Sequence, residues 1–406
     1  AATANRTSAG GRTAQRYSLN YETFTNAFTH AGSQSGNPRV TFTVPSSQAA
    51  AMVEVPIDAI LNVRQQSSNA VFAVIYGDIV YELPLSALNQ QDLSDWLQRN
   101  GPSGLLIEID KGSTANASNL RASLNQNRYS LVSDIYAFNL SKTSGERVSP
   151  IAELAAYTPR ILTMPGTLDT QQYAVVWLDP GTGAVSHIPA VMTAQGGTTT
   201  IAFKHKLNAA YAVIRHNAPY ADIPSNHWAR KDLQTMLNKL IVSGRTSTAF
   251  EPNRPITRAE FAEFIVRGLG LQGDASAAGR FRDVSASSGS AAYIGAAYKA
   301  NIVAGVSSDS FAPNNLITRE EMAAMMVRAA QAAGVEILLA RDPNNYFATY
   351  TDRAAVSGWV RNDLAKAIEA KIINGVSATE LGPKSNATRA EAAVMIKRLL
   401  EYLKMM

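Results

Sequence analysis

The chain has 406 residues, of which 46% are hydrophobic, so it is long enough to form several domains with buried cores. The lack of cysteine excludes disulfide bonds, thiolate metal sites and thiol nucleophiles. The net charge of +5 is not concentrated in a cluster of lysines and arginines, so nucleic acid is not expected as a partner. No apolar run reaches the roughly 18 residues of a membrane span, so membrane insertion is not expected.

Residues 1–15 contain neither an aromatic nor a large aliphatic side chain. Such a segment buries little apolar surface, and we expect a flexible leader. Residues 16–218 carry short apolar runs rich in β-branched residues, which predict strands. Gly77-Asp78 interrupts one run and predicts a hairpin, and Asp179-Pro180-Gly181 predicts a second one.

Turn signals in residues 16–218 recur about every 8–12 residues, which favours a β-rich, sandwich-like region over a parallel α/β sheet. A division into two subdomains is expected near 144–160, where turn residues interrupt the strand pattern. Short helices are predicted at 46–53 or 57–63, and at 91–99.

From residue 217 onward the apolar residues follow a helical period. The pattern repeats as helix, loop, helix in three segments, 219–275, 279–334 and 348–403. Because neither helix of a repeat can bury its apolar stripe alone, the three repeats must pack together. The prediction is therefore an α+β multidomain chain whose second half is all helical.

Each repeat contains the motif Thr-Arg-x-Glu, at 257–260, 318–321 and 388–391. A threonine at the helix N-cap and a glutamate three residues later form a capping box, which predicts the start of the second helix. A glycine precedes each motif by 13 positions, and an aspartate precedes each glycine by 22 or 23. These landmarks are Gly244, Gly305 and Gly375, and Asp222, Asp283 and Asp352.

The arginine of the motif occupies the first helical position, where we expect it to face solvent. The positive end of the helix dipole disfavours a cation there unless an anion is present. Three copies in that position, Arg258, Arg319 and Arg389, favour capture of an anionic ligand by guanidinium groups and free amides. A salt bridge to the aspartate of the same or a neighbouring repeat is the alternative.

The glycines are expected to end the first helix of each repeat in a left-handed cap. They could also let a sugar approach the backbone, because no Cβ stands in the way. Trp228 and Trp359 lie 16 residues before their glycines, where each ring could stack on a sugar or anchor the core.

These residues together resemble the S-layer homology domain in three tandem copies. The resemblance rests on aromatic-x-Asp, the tryptophan, the glycine, Phe-x-Pro-Asn at 250–253 and 311–314, and the Thr-Arg-x-Glu motif. It implies a pseudo-trimeric helical bundle with grooves between its lobes. It also implies non-covalent binding to an anionic secondary cell wall polysaccharide that bears a pyruvylated sugar. The motif arginines, the glycines and the opening aspartates would then belong to the ligand-binding surface.

The repeats depart from the family pattern in ways that predict unequal grooves. The second repeat has Gly289 at the position of the tryptophan. The third repeat has Leu381-Gly382-Pro383-Lys384 instead of Phe-x-Pro-Asn. We therefore expect one or two working grooves rather than three.

No G-x-S-x-G, P-loop or G-x-G-x-x-G motif is present, and the five histidines show no metal-ligand spacing. We therefore expect no catalytic residue, no metal, no cofactor and no enzymatic role. The prediction is an extracellular bacterial cell-surface protein of S-layer type, anchored to the wall, whose β region contacts other copies of itself in a surface array. The alternative is a carbohydrate-binding or glycan-hydrolysing module tethered by the same anchor, since glycosidase carboxylates need not be close in sequence.

Overall fold

The computed structural model describes residues 1–34, 36–112, 114–218 and 220–406. Pro219, the first residue of the predicted first repeat, therefore lies outside the described residues. The chain divides into two compact units: the first holds residues 1–170, 175–178 and 190–214, and the second holds 171–174, 179–189 and 215–406. Within the described ranges, every helix is too short or too polar to cross a membrane.

The first half of the chain is rich in strands, as predicted. Its strands are β1 (Ala2–Thr7), β2 (Thr13–Ser18), β3 (Arg39–Val44), β4 (Ala50–Pro56), β5 (Val71–Tyr76), β6 (Ile79–Pro84), β7 (Gly104–Lys111), β8 (Ser130–Leu131), β9 (Tyr136–Ser144), β10 (Arg147–Pro150), β11 (Glu153–Pro165), β12 (Tyr173–Leu178), β13 (Val185–Ile188), β14 (Ala190–Gln195), β15 (Thr198–Leu207) and β16 (Ala210–Arg215).

The first unit contains two sheets. In one sheet the order is β1-β2-β4-β7-β9-β16-β12, with β10 paired to β9 and β8 to β16. In the other the order is β14-β15-β11-β6-β5-β3. The β2–β4 and β3–β5 pairs are parallel, whereas β4–β7 and β7–β9 are antiparallel. The predicted hairpin at Gly77-Asp78 is the turn between β5 and β6.

Four α-helices belong to the first unit: α1 (Tyr21–Gln34), α2 (Ile57–Gln66), α3 (Gln90–Asn100) and α4 (Ala115–Gln126). The predictions at 57–63 and 91–99 match α2 and α3, and the alternative at 46–53 is wrong because β4 begins at Ala50. The prediction omitted α1 and α4. In α1 only Phe24 and Phe28 are buried among polar residues, so its apolar stripe is too short to stand out.

The prediction of a flexible leader at residues 1–15 is wrong. Strands β1 and β2 pair in antiparallel register from Ala2–Ser18 to Thr7–Thr13, and β2 continues the sheet beside β4. Backbone pairing does not require large side chains, and Ala14 is small enough to pack in a cluster with Ala50, Met52 and Leu106. Composition therefore missed strands that the sheet itself stabilises.

The expected division near 144–160 is also wrong. The turn residues there connect β9 to β10 in a hairpin, and residues 1–170 remain in one compact unit. Turn signals mark any reversal of the chain, so they do not separate a hairpin from a domain boundary.

The second unit is helical, as predicted for the second half of the chain. Its α-helices are α5 (Arg230–Asn238), α6 (Arg258–Gly268), α7 (Ala291–Lys299), α8 (Arg319–Ala332), α9 (Arg361–Glu369) and α10 (Arg389–Tyr402). Short 3-10 turns cover Ala277–Arg280, Pro343–Tyr346, Arg353–Ala355 and Gly358–Val360, and one in the first unit covers Leu85–Ala87. Each repeat therefore contributes two α-helices.

A turn from the β-rich half belongs to this helical unit. The buried carboxylate of Asp179 accepts hydrogen bonds from the amide of Gly181 at 2.8 Å and from the amide of Gly273 at 3.0 Å. A Cβ at Gly181 would overlap the carbonyl of Gly273, so only glycine fits. The second unit is thus larger than the three predicted repeats, because 179–189 packs with them.

Candidate functional site

The three predicted capping boxes are present at the starts of α6, α8 and α10. Thr257 accepts a hydrogen bond from the amide of Glu260, and the Glu260 carboxylate accepts one from the amide of Thr257. Thr318 with Glu321 and Thr388 with Glu391 repeat the arrangement. Each cap contributes about 1 kcal/mol to stability.

Each of these helix starts is bound by the loop of a different repeat. The amide of Arg258 donates to the carbonyl of Asn315, that of Arg319 to Ser385, and that of Arg389 to Arg254. The first repeat therefore binds the second, the second binds the third, and the third binds the first.

The motif arginines are buried, which corrects the expectation that they face solvent. Arg258, Arg319 and Arg389 are only 7%, 4% and 2% exposed. Each Nε donates to a loop carbonyl of the neighbouring repeat, at Phe311, Leu381 and Phe250. Burial lowers the pKa of all three guanidinium groups. The side chain can be buried because carbonyl oxygens of the neighbouring loop accept the hydrogen bonds that water would otherwise accept.

The three arginines differ in how closely an acid neutralises them. The Nη1 of Arg258 lies 3.0 Å from Glu321, and that of Arg389 lies 3.1 Å from Glu260. The Nη1 of Arg319 is 3.9 Å from Glu391, which is too long for a hydrogen bond. The acid is the capping-box glutamate of the neighbouring repeat, whereas the sequence suggested an aspartate.

The three opening aspartates hold loops together. The carboxylate of Asp222 accepts from the amides of Phe250 and Glu251 at 3.0 and 2.6 Å. Asp283 binds the amides of residues 311 and 312, and Asp352 binds those of 381 and 382. For Asp283 and Asp352, burial opposes ionisation, but these hydrogen bonds outweigh it and lower the pKa.

The predicted left-handed caps are not at Gly244, Gly305 and Gly375. The residues with positive φ are four positions earlier, at Leu240, Asn301 and Lys371. The glycines are needed for close packing: a Cβ would lie 2.5 Å from the carbonyl of Thr246 at Gly244, and 2.5 Å from that of Ser377 at Gly375. At Gly305 it would overlap the carbonyl of Ser307. The close backbone approach is thus to the protein's own turn.

Both tryptophans lie at the surface, so neither anchors the core. Trp228 is 63% exposed and Trp359 is 60% exposed. His227 stacks on Trp228 with ring centroids 5.8 Å apart. Gly289 leaves the corresponding position of the second repeat without a ring.

One cavity brings predicted site residues of all three repeats together. It has a volume of about 300 Å³ and contains Trp228 from the first repeat, Arg319 from the second and Gly375 from the third. We call it the Trp228 groove. Its remaining lining residues are Asn374, Val376, Glu391, Val394, Met395 and Arg398.

The repeat spacing defines two equivalent positions around the second unit. By this spacing the residues Trp359, Arg258, Gly305 and Val306 correspond to those of the Trp228 groove, and we call this set the Trp359 groove. The third set, Gly289, Arg389, Gly244 and Arg245, is called the Gly289 groove. In the Gly289 groove, Arg245 and Arg389 both lie 3.1 Å from Glu260. The carboxylate of Glu263, on the same helix, forms an ion pair with Arg267 at 3.2 Å and accepts a hydrogen bond from the Ser243 hydroxyl at 3.0 Å. Internal ion pairs therefore use the charged groups that a ligand would need.

Sequence reasoning missed Glu391, Val376 and Arg398 as groove residues. The repeat itself carried a signal for the last of them, because an arginine follows each capping glutamate by seven positions, at 267, 328 and 398. Among the described residues, no group of three His, Asp or Glu side chains is arranged to hold a metal ion.

Comparison with known proteins identifies the repeats. The S-layer homology domain family matches residues 219–262, 280–323 and 349–393. The chain therefore carries three tandem S-layer homology domains, as do bacterial S-layer and wall-anchored surface proteins, and the resemblance is confirmed. Such domains bind cell wall polysaccharide, so the second unit is a wall anchor and the protein is an extracellular cell-surface protein.

Several curated proteins resemble longer parts of the chain. An amylopullulanase of Thermoanaerobacterium thermosulfurigenes is 32% identical over 79% of this chain and 16% of its own length. Exoglucanase XynX of Acetivibrio thermocellus is 38% identical over 47% of the chain and 17% of its own length. An S-layer protein of Bacillus thuringiensis subsp. finitimus is 29% identical over 50% of the chain and 23% of its own length. The chain thus spans less than a quarter of each of these relatives.

These relatives correct the expectation of no enzymatic role. The amylopullulanase and the exoglucanase are named as enzymes, as are an endoglucanase and an endo-1,4-beta-xylanase that also match. The amylopullulanase match covers 319 residues, more than the chain contains after residue 219, so it extends into the β-rich half. A missing local motif is weak ground for excluding an enzyme, because catalysis can reside outside these 406 residues.

Proposed function

We propose that the chain is the wall-anchoring part of a cell-surface protein and that the Trp228 groove is its principal glycan site. The observation that carries the proposal is the position of Arg319. Its guanidinium faces this cavity with Nη1 3.9 Å from Glu391, whereas its two counterparts are hydrogen-bonded to their glutamates. A ligand carboxylate can complete the hydrogen bonds that Glu391 leaves unmade.

The chemistry of the groove suits an acidic sugar. Trp228 offers an exposed ring for stacking on a pyranose, and Val376 offers a small exposed apolar surface in the same cavity. Arg398 adds a second cation at the edge of the same cavity. A pyruvate ketal would supply the anion, so the proposed ligand is a pyruvylated sugar of the secondary wall polysaccharide.

The charge distribution of the chain supports an anionic partner for the second unit. Residues 1–214 contain 14 lysines and arginines and 14 aspartates and glutamates. The whole net charge of +5 is therefore carried by residues 215–406. A positive field over the repeats would speed encounter with an anionic polymer.

We further propose that the three repeats form a pseudo-trimeric bundle, since their helix starts bind one another in cyclic order. In this arrangement Asp222, Asp283 and Asp352 and the three turn glycines support the groove walls from behind. Arg258 with Trp359 would form a second, weaker site, because Glu321 already neutralises that arginine. The Gly289 groove would not bind.

The chain provides its own matched controls for this proposal. We expect Trp228→Ala and Arg398→Gln each to weaken binding of the whole chain to purified wall sacculi by about tenfold or more. The equivalent changes in the Trp359 groove, Trp359→Ala and Arg328→Gln, should cost less than about threefold. All four positions are at least partly exposed, so folding should survive. Larger losses from the control pair would move the site to the Trp359 groove.

Sacculi stripped of ketals by mild acid test the ligand separately. Binding that disappears with the ketals supports the pyruvylated sugar. Binding that persists on stripped sacculi, and still depends on Trp228, would keep the groove but replace the ligand by another wall sugar. Binding to neither preparation would overturn the assignment of the groove.

A second part of the proposal concerns the rest of the protein. The match to an amylopullulanase extends into the β-rich half, whereas the S-layer protein match is of similar length to the repeats. This favours a polysaccharide-degrading enzyme tethered to the wall over a subunit of a self-assembled lattice. Secreted full-length protein should then release sugar from a soluble glucan or xylan without forming sheets in electron micrographs. Regular sheets without glycan hydrolysis would support the S-layer role instead.

A further inference from the structure

The face of the first sheet that carries Met52 and Glu108 has polar and apolar side chains in register. Glu108 on β7 pairs directly with Met52 on β4 and with Asn139 on β9. Directly paired residues have Cβ atoms about 4.5–5.5 Å apart and point to the same side of a sheet. A carboxylate, an amide and a thioether therefore stand side by side on this face.

A cavity of about 440 Å³ opens over these three residues. Glu108 is only 5% exposed, and the contact described for its carboxylate is the amide of Ala9, 3.1 Å from Oε1. The Nδ2 of Asn139 is buried and has no hydrogen-bond partner within the described residues. The cavity thus presents an acceptor with spare capacity beside a donor that lacks an acceptor.

The rest of the lining combines apolar residues, uncharged polar residues and two arginines. Thr7, Ser8, Ser141 and Asn208 are uncharged, and the positive charge of Arg6 is opposite to that of Glu108. Leu106 and Ile151 line it together with Met52, and the exposed Val148 lies at its mouth. Arg16 also lines it but is already paired with Glu54. A cavity of this composition suits an uncharged ligand that both donates and accepts hydrogen bonds and has an apolar surface.

A second cavity of about 390 Å³ lies on the same sheet beside the first. It contains Glu54, Thr143 and the exposed ring of Tyr21. The Glu54 side chain lies directly over Gly104, where a Cβ would come within 2.5 Å of its carboxylate. Four residues along β7 separate Gly104 from Glu108, or about 13 Å, and the Arg16–Glu54 pair joins the two cavities.

We propose that this face of the sheet binds a neutral, linear oligosaccharide. Sugar hydroxyls both donate and accept, so one can donate to Glu108 while a neighbour accepts from Asn139. The apolar face of a pyranose packs on Val148 and Ile151, which line the first cavity and are at least partly exposed, and a further sugar unit stacks on Tyr21 in the second cavity. This site differs from the Trp228 groove in location and in charge, because it needs no anionic group.

Calorimetric titration of the whole chain with soluble malto-, cello- and xylo-hexasaccharides tests the proposal. We expect one of these series to bind, and the hexasaccharide to bind more tightly than its disaccharide. Glu108→Gln replaces one carboxylate acceptor by an amide donor and removes the charge, and Asn139→Leu removes the donor, so each should weaken binding by about tenfold. Trp228→Ala and Glu153→Gln, which lie outside both cavities, should leave the affinity unchanged.

Val148→Arg tests the site without changing a buried residue, so a loss of binding cannot be attributed to misfolding. The residue is exposed at the mouth of the cavity, so its replacement should block entry and leave the melting temperature unchanged. The proposal is overturned if no series binds to the unmodified chain, or if Val148→Arg binds normally. Loss of binding in Trp228→Ala alone would also overturn it by assigning the sugar to the anchor. Equal affinity for disaccharide and hexasaccharide would contradict the two-cavity arrangement.

Discussion

The Trp228 groove and the Gly289 groove combine equivalent residues of the three repeats, yet their chemistry is opposite. In the first, an exposed tryptophan and Val376 flank an arginine whose acid lies 3.9 Å away. In the second, a glycine replaces the ring, Arg245 replaces the valine, and Glu260 binds two arginines at 3.1 Å each. The same capping motif therefore produces an open site in one place and a closed ion network in another.

This comparison teaches that a repeated residue does not imply a repeated function. The backbone contacts of the three arginines are alike, because all three hold the neighbouring loop through Nε. The Nη1 atoms differ in their distance to the neighbouring glutamate, because the surrounding side chains differ. We expect ligand binding to depend on the availability of Nη1, whereas folding depends on the shared Nε contacts.

The largest effect should come from removing the acid in each groove while keeping the cap. Glutamine also completes a capping box, so Glu260→Gln removes mainly charge. It leaves Arg389, which is 2% exposed, without its carboxylate and should lower the free energy of unfolding by about 3 kcal/mol. Glu391→Gln should cost less than about 1 kcal/mol, because Arg319 lies farther from its acid. Urea unfolding of the two variants measures the difference, and equal losses would contradict the comparison.

A pH effect should appear on the side of the Gly289 groove. β13 packs against α6, and burial, reinforced by the charges of Lys239 and Arg267, lowers the pKa of His187 to about 3. The unfolded chain, with an ordinary histidine pKa near 6.5, then binds the proton more tightly than the folded one. Stability is complete above about pH 6.5 and falls by about 1.4 kcal/mol per pH unit below it, until about pH 3.

Replacing the buried histidine isolates this contribution. His187→Leu cannot be protonated, so the slope of unfolding free energy between pH 6.5 and 4.5 should become shallower by about 1.4 kcal/mol per unit. His227→Leu is the control, because its ring lies at the surface beside Trp228. An unchanged slope in His187→Leu would show that other groups cause the acid sensitivity.

The smallest effect should come from restoring the missing ring. Gly289→Trp adds an aromatic wall to the Gly289 groove, but Arg389 and Arg245 remain neutralised by Glu260. We therefore expect no measurable gain in sacculus binding in a background that already carries Trp228→Ala. Recovered binding would mean that the ring, rather than the arginine, limits the site.

Much of the helical half was predictable because its signals are local and occur three times. Capping boxes, helix periods and the positions of Trp228 and Trp359 follow from spacing alone. The inward turn of the arginines was not predictable, because its cause is a carbonyl on a loop 53 to 139 residues away in sequence. The left-handed residues were misplaced for a similar reason, since Leu240, Asn301 and Lys371 adopt positive φ without being glycine.

The β-rich half was predictable in class but less so in detail. Strands with clear alternation and β-branched residues were found, whereas β1 and β2 consist of small and polar residues that only a neighbouring strand stabilises. The turn at 179–184 reads as an ordinary hairpin, and nothing near it in sequence indicates that Asp179 binds Gly273.

The sequence by itself determined the three repeats, their helix starts and the wall-anchoring family, because these depend on residues within one turn of each other or at a fixed spacing. The tertiary structure decided which arginine has an Nη1 without a hydrogen bond to its glutamate, which groove is closed by ion pairs, and which side chains lie together on the face of β7. Those properties depend on distances between residues far apart in the chain: the two hydrogen-bonded ion pairs measure 3.0 and 3.1 Å, and the open one measures 3.9 Å.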